Sequence, residues 1–389
     1  MNTIPNIIFT IPRWEVSGVT TVNLEIAACL RDLGARCRLV VEDDNKETCP
    51  YELPNGIPCE GLSGSFQWER LIPSNTIAAS LRWRRAEARL RRILNGIGAP
   101  VVLFPGYAFR LTTPARPWGK EVGVIGVVHS DDEPNIGFAV NHGREWIRCV
   151  CVSERLAARV KASAPWLDPV VIPNGVPCSP QPPPLRSTDP QRPLRVIYAG
   201  RLEQKQKRVL DLPEIMELTS HLPIQWEIAG EGPEAASLQD RLRARIQGGT
   251  VHWHGSLKRA DVCKLFRQAD LIVMLSAYEG MPMGLLEAMS EGCIPVVSNG
   301  CDAGADFVRS SHAGFVLPTG DLKQFAATLE TLSCSRERLP AMSCSAWAAI
   351  KNGPHNAAAM GAAYHALILE WLESIRAIRT KTGNLPIAK

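Results

Sequence analysis

A proline-dense stretch between residues 173 and 193, which includes Pro182, Pro183 and Pro184, divides this chain into two series of alternating strand-like and helix-like segments. Proline lacks an amide hydrogen and fixes φ, so the stretch suits neither a helix interior nor a central strand and is expected to be a linker. Before it, short apolar runs at Asn6–Ile11, Arg36–Val41, Pro100–Phe104, Glu121–Val128, Cys149–Val152 and Val170–Ile172 predict strands. Continuous apolar runs bounded by turn residues suit strands buried on both faces. A helix is expected at Val19–Leu33, stopped by Gly34. After the linker, strands are expected at Arg195–Ala199, Gln225–Ala229, Val251–His254, Leu271–Ser276, Ile294–Ser298 and Gly314–Leu317. The helices expected among them are Arg208–Ser220, Glu234–Ile246, Arg259–Ala269, Leu285–Glu291 and Asp321–Cys334. Such alternation specifies an α/β fold of doubly wound parallel sheets. With 389 residues the chain is long enough for two cores. The organisation expected is a Rossmann-like domain over 1–172, the linker over 173–193, a second Rossmann-like domain over 194–355, and a helical tail over 356–389 packing back on the first.

Composition narrows the function classes. A net charge of +4 gives no argument for nucleic acid. Twelve cysteines occur without any C-x-x-C, and Cys149 and Cys151 alternate with valines as small buried hydrophobes do, so neither zinc nor a disulfide framework is expected. Scattered thiols suit a reducing cytoplasm. The first residues, interrupted by Pro5, lack a signal-peptide layout, and no run approaches the roughly 20 apolar residues of a membrane span. Leu81–Leu94 carries six arginines. As a helix it suits either peripheral contact with an anionic membrane or a charged outer face over ordinary packing.

The chemistry concentrates in E-G-M-P-M-G-L-L-E, Glu279–Glu287. Glu279 is expected in the loop at the carboxyl end of a strand and Glu287 about one turn into the next helix. Between them, Gly280, Met281, Met283, Gly284 and Leu285 offer backbone amides at a helix N-terminus, a natural anion site. Two acids around a phosphate cradle suit a ligand with hydroxyls on both sides of its phosphates, as in a nucleotide-sugar. Each charge-assisted bond to a hydroxyl is worth roughly 1.5–3 kcal/mol. Arg201 and Lys207 follow a strand end at Gly200, and a guanidinium fork with a mobile ammonium suits a diphosphate. Lys205 competes with Lys207 for that place.

These segments resemble retaining GT-B glycosyltransferases of the large family four. Glu279–Glu287 matches that family's E-x7-E signature, and Y-A-G-R-L-E-Q-K-Q-K-R at Tyr198–Arg208 its phosphate-binding element. A-G-E-G-P at Ala229–Pro233, H-W-H-G-S-L at His252–Leu257 and I-P-N-G-V at Ile172–Val176 follow the family's order. The resemblance implies two domains facing each other across a cleft and hexose transfer with retention from a UDP-sugar, or secondly GDP-mannose, to a glycan or lipid-linked acceptor. It implies Glu279, Arg201, Lys207 and His129 as catalytic residues. Gly18, Gly200, Gly230, the backbone of Leu257, the Gly280–Leu285 segment and Glu287 would bind donor. Lys207 is preferred over Lys205 because it is expected to open a helix. No D-x-D occurs, so no metal or other cofactor is expected. Gly18 stands where the family often has two glycines, with Ser17 replacing the first. Asp131, Asp132 and Glu133, just after His129, suit either acceptor hydroxyls or water. The rival readings are a GT-B-like nucleotide-sugar epimerase and a non-catalytic nucleotide-sugar-binding subunit.

Overall fold

The computed structural model describes residues 5–14, 18–43, 53–62, 88–97, 100–105 and 121–381. The chain divides into two compact units, Met1–Pro173 with Ala357–Lys389, and Asn174–Asn356. The first unit holds strands β1 (Asn6–Arg13), β2 (Arg36–Asp43), β3 (Cys59–Gly61), β4 (Val101–Phe104), β5 (Val122–Val128), β6 (Arg148–Cys151) and β7 (Val170–Val171). All pair in parallel, in the order β3-β2-β1-β4-β5-β6-β7. The second unit holds β8 (Leu194–Ala199), β9 (Ile224–Ala229), β10 (Val251–Gly255), β11 (Leu271–Met274), β12 (Ile294–Ser298) and β13 (Phe315–Leu317). It is also parallel, in the order β10-β9-β8-β11-β12-β13.

The helices of the first unit are α1 (Gly18–Asp32), α2 (88–97), α3 (Glu133–His142), α4 (Glu154–Ser163) and, last in the chain, α13 (Ala357–Lys381). Those of the second are α5 (Gln204–Lys207), α6 (Leu212–Leu218), α7 (Ala235–Gln247), α8 (Arg259–Gln268), α9 (Met283–Ser290), α10 (Asp302–Ser311), α11 (Leu322–Cys334) and α12 (Leu339–Lys351). Because helices cover both faces of a parallel sheet, its strands must be apolar on both sides. In the second unit Val196, Tyr198, Trp226 and Ile228 face one core with Phe325 and Leu329, while Ile197, Ile272 and Val297 face another with Phe266, Leu286 and Met289. The proline-dense stretch has no helix or strand beyond a short bridge at Val176, and from Asn174 onward it belongs to the second unit. Its Arg186 is buried, donating to Ser343 Oγ (3.2 Å) and to the carbonyls of Arg267 (2.7 Å) and Glu291 (3.1 Å). These acceptors engage Nε, Nη1 and Nη2, one bond at each nitrogen of the five-donor guanidinium.

Of the Arg-rich stretch, residues 81–87 lie outside the described residues; in α2, Leu90 and Leu94 are buried while Arg89 and Arg92 are exposed. No described helix is long and apolar enough to cross a membrane. The tail helix α13 packs on α1, and Tyr364 is fully buried with its ring edge-on to Phe104 (centroids 5.6 Å), which stacks on Phe9 (4.6 Å). Removing that ring leaves a large cavity, so Tyr364→Ala should cost about 3–5 kcal/mol. Urea unfolding should show the first unit's transition moving to lower denaturant; an unchanged curve would contradict this packing.

Candidate active site

The second sheet reverses its winding at the centre. From β8 the chain builds β9 and β10 on one side, then crosses to β11 on the other, so β8 and β11 lie side by side. The crevice outside the carboxyl ends of such a pair is where open parallel sheets take ligands. β8 delivers Gly200 and Arg201 there, and β11 delivers Ser276 and Glu279. The turns at these ends are tied together: Gly200 N–H donates to Ala229 O (3.0 Å) and Gly230 N–H to Gly255 O (2.7 Å). At Gly230 φ is +141°, and a Cβ would stand 1.9 Å from the Gly200 carbonyl oxygen, so only glycine fits. Close turn packing accounts for this glycine without a ligand.

Arg201 is exposed, and its guanidinium has no partner among the described residues. Its carbonyl accepts from Tyr198 Oη (2.9 Å), which anchors the start of the loop. Lys207 is placed differently from the expectation. It does not open a helix running from Arg208; it closes the single turn α5, which Glu203 caps through the amides of Lys205 (2.7 Å) and Gln206 (3.0 Å). Arg208 then adopts a left-handed conformation (φ +53°), a cost of roughly 1–2 kcal/mol for a side-chain-bearing residue. Its guanidinium is held by Asp211 (Nε to Oδ2, 2.7 Å). The next helix starts only at Leu212, with Pro213 in its first turn.

This turn carries Lys207 across to the β11 loop, where its Nζ bonds Glu279 Oε1. Ser276 Oγ donates to the same oxygen (3.2 Å). The two charged side chains are only 18% and 10% exposed, so their attraction is little screened by water. Glu279 Oε2 has no partner among the described residues. Backbone contacts fix the approach of the loops: Ala277 N–H donates to Gln206 O (2.7 Å), and Gln206 Nε2 to Tyr278 O (3.3 Å). Lys205 is exposed, and its ammonium has no partner among the described residues.

Glu287 lies one turn into α9, and its Oε1 accepts from Arg259 Nε at 2.6 Å. The sequence did not single out Arg259; nothing local links two residues 28 positions apart. At the start of α9, the amides of Leu285 (3.1 Å) and Leu286 (3.4 Å) are committed to Pro282 O, and Leu285 is buried. Leu285 therefore anchors the helix to the core. The amides of Gly280, Met281, Met283 and Gly284 have no partner among the described residues, while the Met281 and Met283 side chains pack against the core. A neighbouring loop was also missed: Ser298 Oγ donates to Ser276 O (2.6 Å), and Gly300 N–H to Thr319 Oγ1 (3.0 Å), with Thr319 held by Asn299. The turn-rich S-N-G-C-D-A-G run after β12 was the available signal. Leu257 is half-buried in the turn after β10.

In the first unit, Gly18 opens α1, and residues 15–17 lie outside the described residues. His129 follows β5, and burial lowers its pKa to about 4, so the ring is neutral near pH 7. The adjacent acids have structural partners. Asp132 caps α3 through Asn135 N–H (2.8 Å), while Asp131 (3.1 Å) and Glu133 (2.8 Å) pair with Arg159.

Comparison with known proteins fits this arrangement. Residues 186–346 match the family model "Glycosyl transferases group 1". Lipopolysaccharide 1,6-galactosyltransferase of Salmonella typhimurium is 32% identical over 154 residues, 38% of this chain and 41% of the relative. The chain thus spans about two fifths of the length of the curated relatives it first matches. By structure, a mutant of TarM from S. aureus, in complex with fondaparinux, alpha-GlcNAc-glycerol and UDP, has a TM-score of 0.74 at 12% identity, covering 95% of this chain and 99% of that one. HepE from Anabaena in complex with UDP has a TM-score of 0.65 at 16% identity, covering 95% and 100%. These likenesses show the fold, the two-sheet α/β architecture of GT-B proteins. The likeness to the glycosyl transferases group 1 model lies in residues 186–346, about two fifths of the chain.

Proposed function

We propose that this chain transfers a hexose from a nucleoside-diphosphate sugar to an acceptor hydroxyl with retention at the anomeric carbon and without a metal ion. The donor is a UDP-sugar ahead of GDP-mannose, and the product belongs to a cell-surface polysaccharide or glycolipid made on the cytoplasmic face. The observation that carries the reading is the convergence of Arg201, Lys207, Glu279 and the amides before α9 at the carboxyl ends of β8 and β11. UDP in the TarM and HepE complexes and the galactosyltransferase relatives support the donor class.

Breaking the sugar–phosphate bond puts negative charge on the departing diphosphate, which fixed cations and amides can receive. Arg201 meets it with a planar fork, and Lys207 with a point charge that Glu279 keeps in place. Glu279 turns its unengaged Oε2 to a hexose hydroxyl, while Glu287, held by Arg259, takes the ribose. A phosphate oxygen of the leaving group takes the acceptor proton on the same face, so no protein base is required. His129, uncharged near pH 7, suits a hydrogen bond to a sugar better than a contact with phosphate.

If the cations carry the leaving charge, Arg201→Ala and Lys207→Ala should each cut turnover about 100- to 1,000-fold, with a smaller loss of donor affinity. Lys205→Ala should stay active, and excess EDTA should leave the wild type working. Turnover abolished by EDTA and restored by manganese would refute the metal-free part; full activity in both Arg201→Ala and Lys207→Ala would move the diphosphate elsewhere.

The neutral His129 also has a pH consequence. The unfolded ring binds a proton near 6.5 and the folded ring near 4, so stability is full above about pH 6.5 and falls as pH drops between those values. Urea midpoints measured across that window should fall less steeply for His129→Asn than for the wild type. Equal slopes would place the lost stability on other groups.

A further inference from the structure

Glu227, in the middle of β9, is buried at 1% exposure, yet it is a charged residue inside a parallel sheet. Such a carboxylate is tolerable only when fully paired. Three side chains on the same face pair it. Arg195 of β8 donates from Nη2 to Oε1 (2.9 Å), His254 of β10 lies with Nε2 2.7 Å from Oε2, and His252 of β10 brings Nδ1 to 3.3 Å. From α8 the uncharged Gln268 contacts Arg195 (3.3 Å), and the Glu231 carboxylate reaches 4.0 Å from the Cβ position of Gly255. Burial alone would raise the Glu227 pKa, but the bonds from His254 and Arg195 outweigh it and hold the carboxyl below its usual range.

The backbone departs from a regular ladder at this same place. His252 faces Glu227 and Trp253 faces Ile228, but the partner of Ala229 is Gly255, so His254 is an extra residue in β10. Inserted residues of this kind bend a strand and re-aim the residues after them. Here the next residue, Gly255, takes φ +63°, and a methyl group placed on it would meet no atom nearer than 4.0 Å, so the conformation rather than space calls for glycine. Its carbonyl accepts from Gly230 N–H at 2.7 Å. The bulge therefore joins the carboxyl end of β10 to the Gly230 and Gly200 turns beside Arg201.

We infer that His254 is a positioning residue for the nucleotide: bonded to Glu227, it holds the bulge that aims Gly255–Leu257 at the crevice. The inference rests on the donor-site reading above. Nothing in the geometry requires His254 to touch the ligand.

The test is calorimetric titration of the full chain with UDP. His254→Phe fills the space without donating, and should lose about tenfold in UDP affinity, the size expected for one hydrogen bond to a charged group. His254→Gln retains a donor and should recover most of that affinity. His252 is half exposed and makes the longer contact, so His252→Gln should bind as the wild type does. Equal UDP affinity in the wild type and His254→Phe would overturn the inference, as would equal losses in the Phe and Gln variants accompanied by a lower Tm. A wild type that binds neither UDP nor GDP would sink the donor-site reading, and the clamp with it.

Discussion

The pairing of β8 with β11, with Leu271 opposite Val196 and Ile272 opposite Ile197, is the contact on which the site depends. These strands are far apart in sequence, and they meet because the β9–β10 half and the β12–β13 half wind outward from them in opposite directions. Backbone amides inside a parallel sheet bond to neighbouring strands, and helices cover both of its faces. Polar chemistry is left only the strand ends. Arg201 at one end and Glu279 at the other come together because two buried hydrophobic strands do.

Charge in such a place must be balanced. Lys207 and Glu279 are both largely shielded from water and bind each other, and removing either would leave the other uncompensated. The same constraint recurs at Glu227, where Arg195, His252 and His254 surround one buried carboxylate, while the buried Arg186 is held by neutral acceptors, a hydroxyl and two carbonyls. Local strain at Arg208 and the extra residue at His254 sit next to these charged groups. In both cases an irregular backbone stands beside a charged pair, Arg208 with Asp211 and Glu227 with Arg195.

Much of this was legible in the sequence, because the signals were local. The strands β8, β9, β11 and β12 fall within about two residues of the runs expected for them, since continuous apolar runs between turn residues have one good solution in a parallel sheet. The glutamate at 279 in a strand-end loop and the one at 287 a turn into α9 follow from the same local pattern. The features that escaped were set by distant contacts or competing local forces. The helix expected from Arg208 is delayed to Leu212, because Pro213 favours a first-turn position and Arg208 ends α5 in a left-handed conformation. Helix α10 was hidden behind the glycines of S-N-G-C-D-A-G, and Arg259 meets Glu287 only in the folded unit. The acids after His129 offered two readings from sequence, and Arg159 and the α3 cap account for them only once α3 and α4 are packed.

The central claim is that one nucleoside diphosphate lies against both strand ends of the β8–β11 pair. Amide hydrogen exchange of the full chain with and without saturating UDP tests it most directly. The account predicts slowed exchange in two separated segments, 200–208 and 279–287, with the amides of Met283 and Gly284 among the most protected. Protection confined to other segments, with both of these unchanged while UDP is bound, would contradict it.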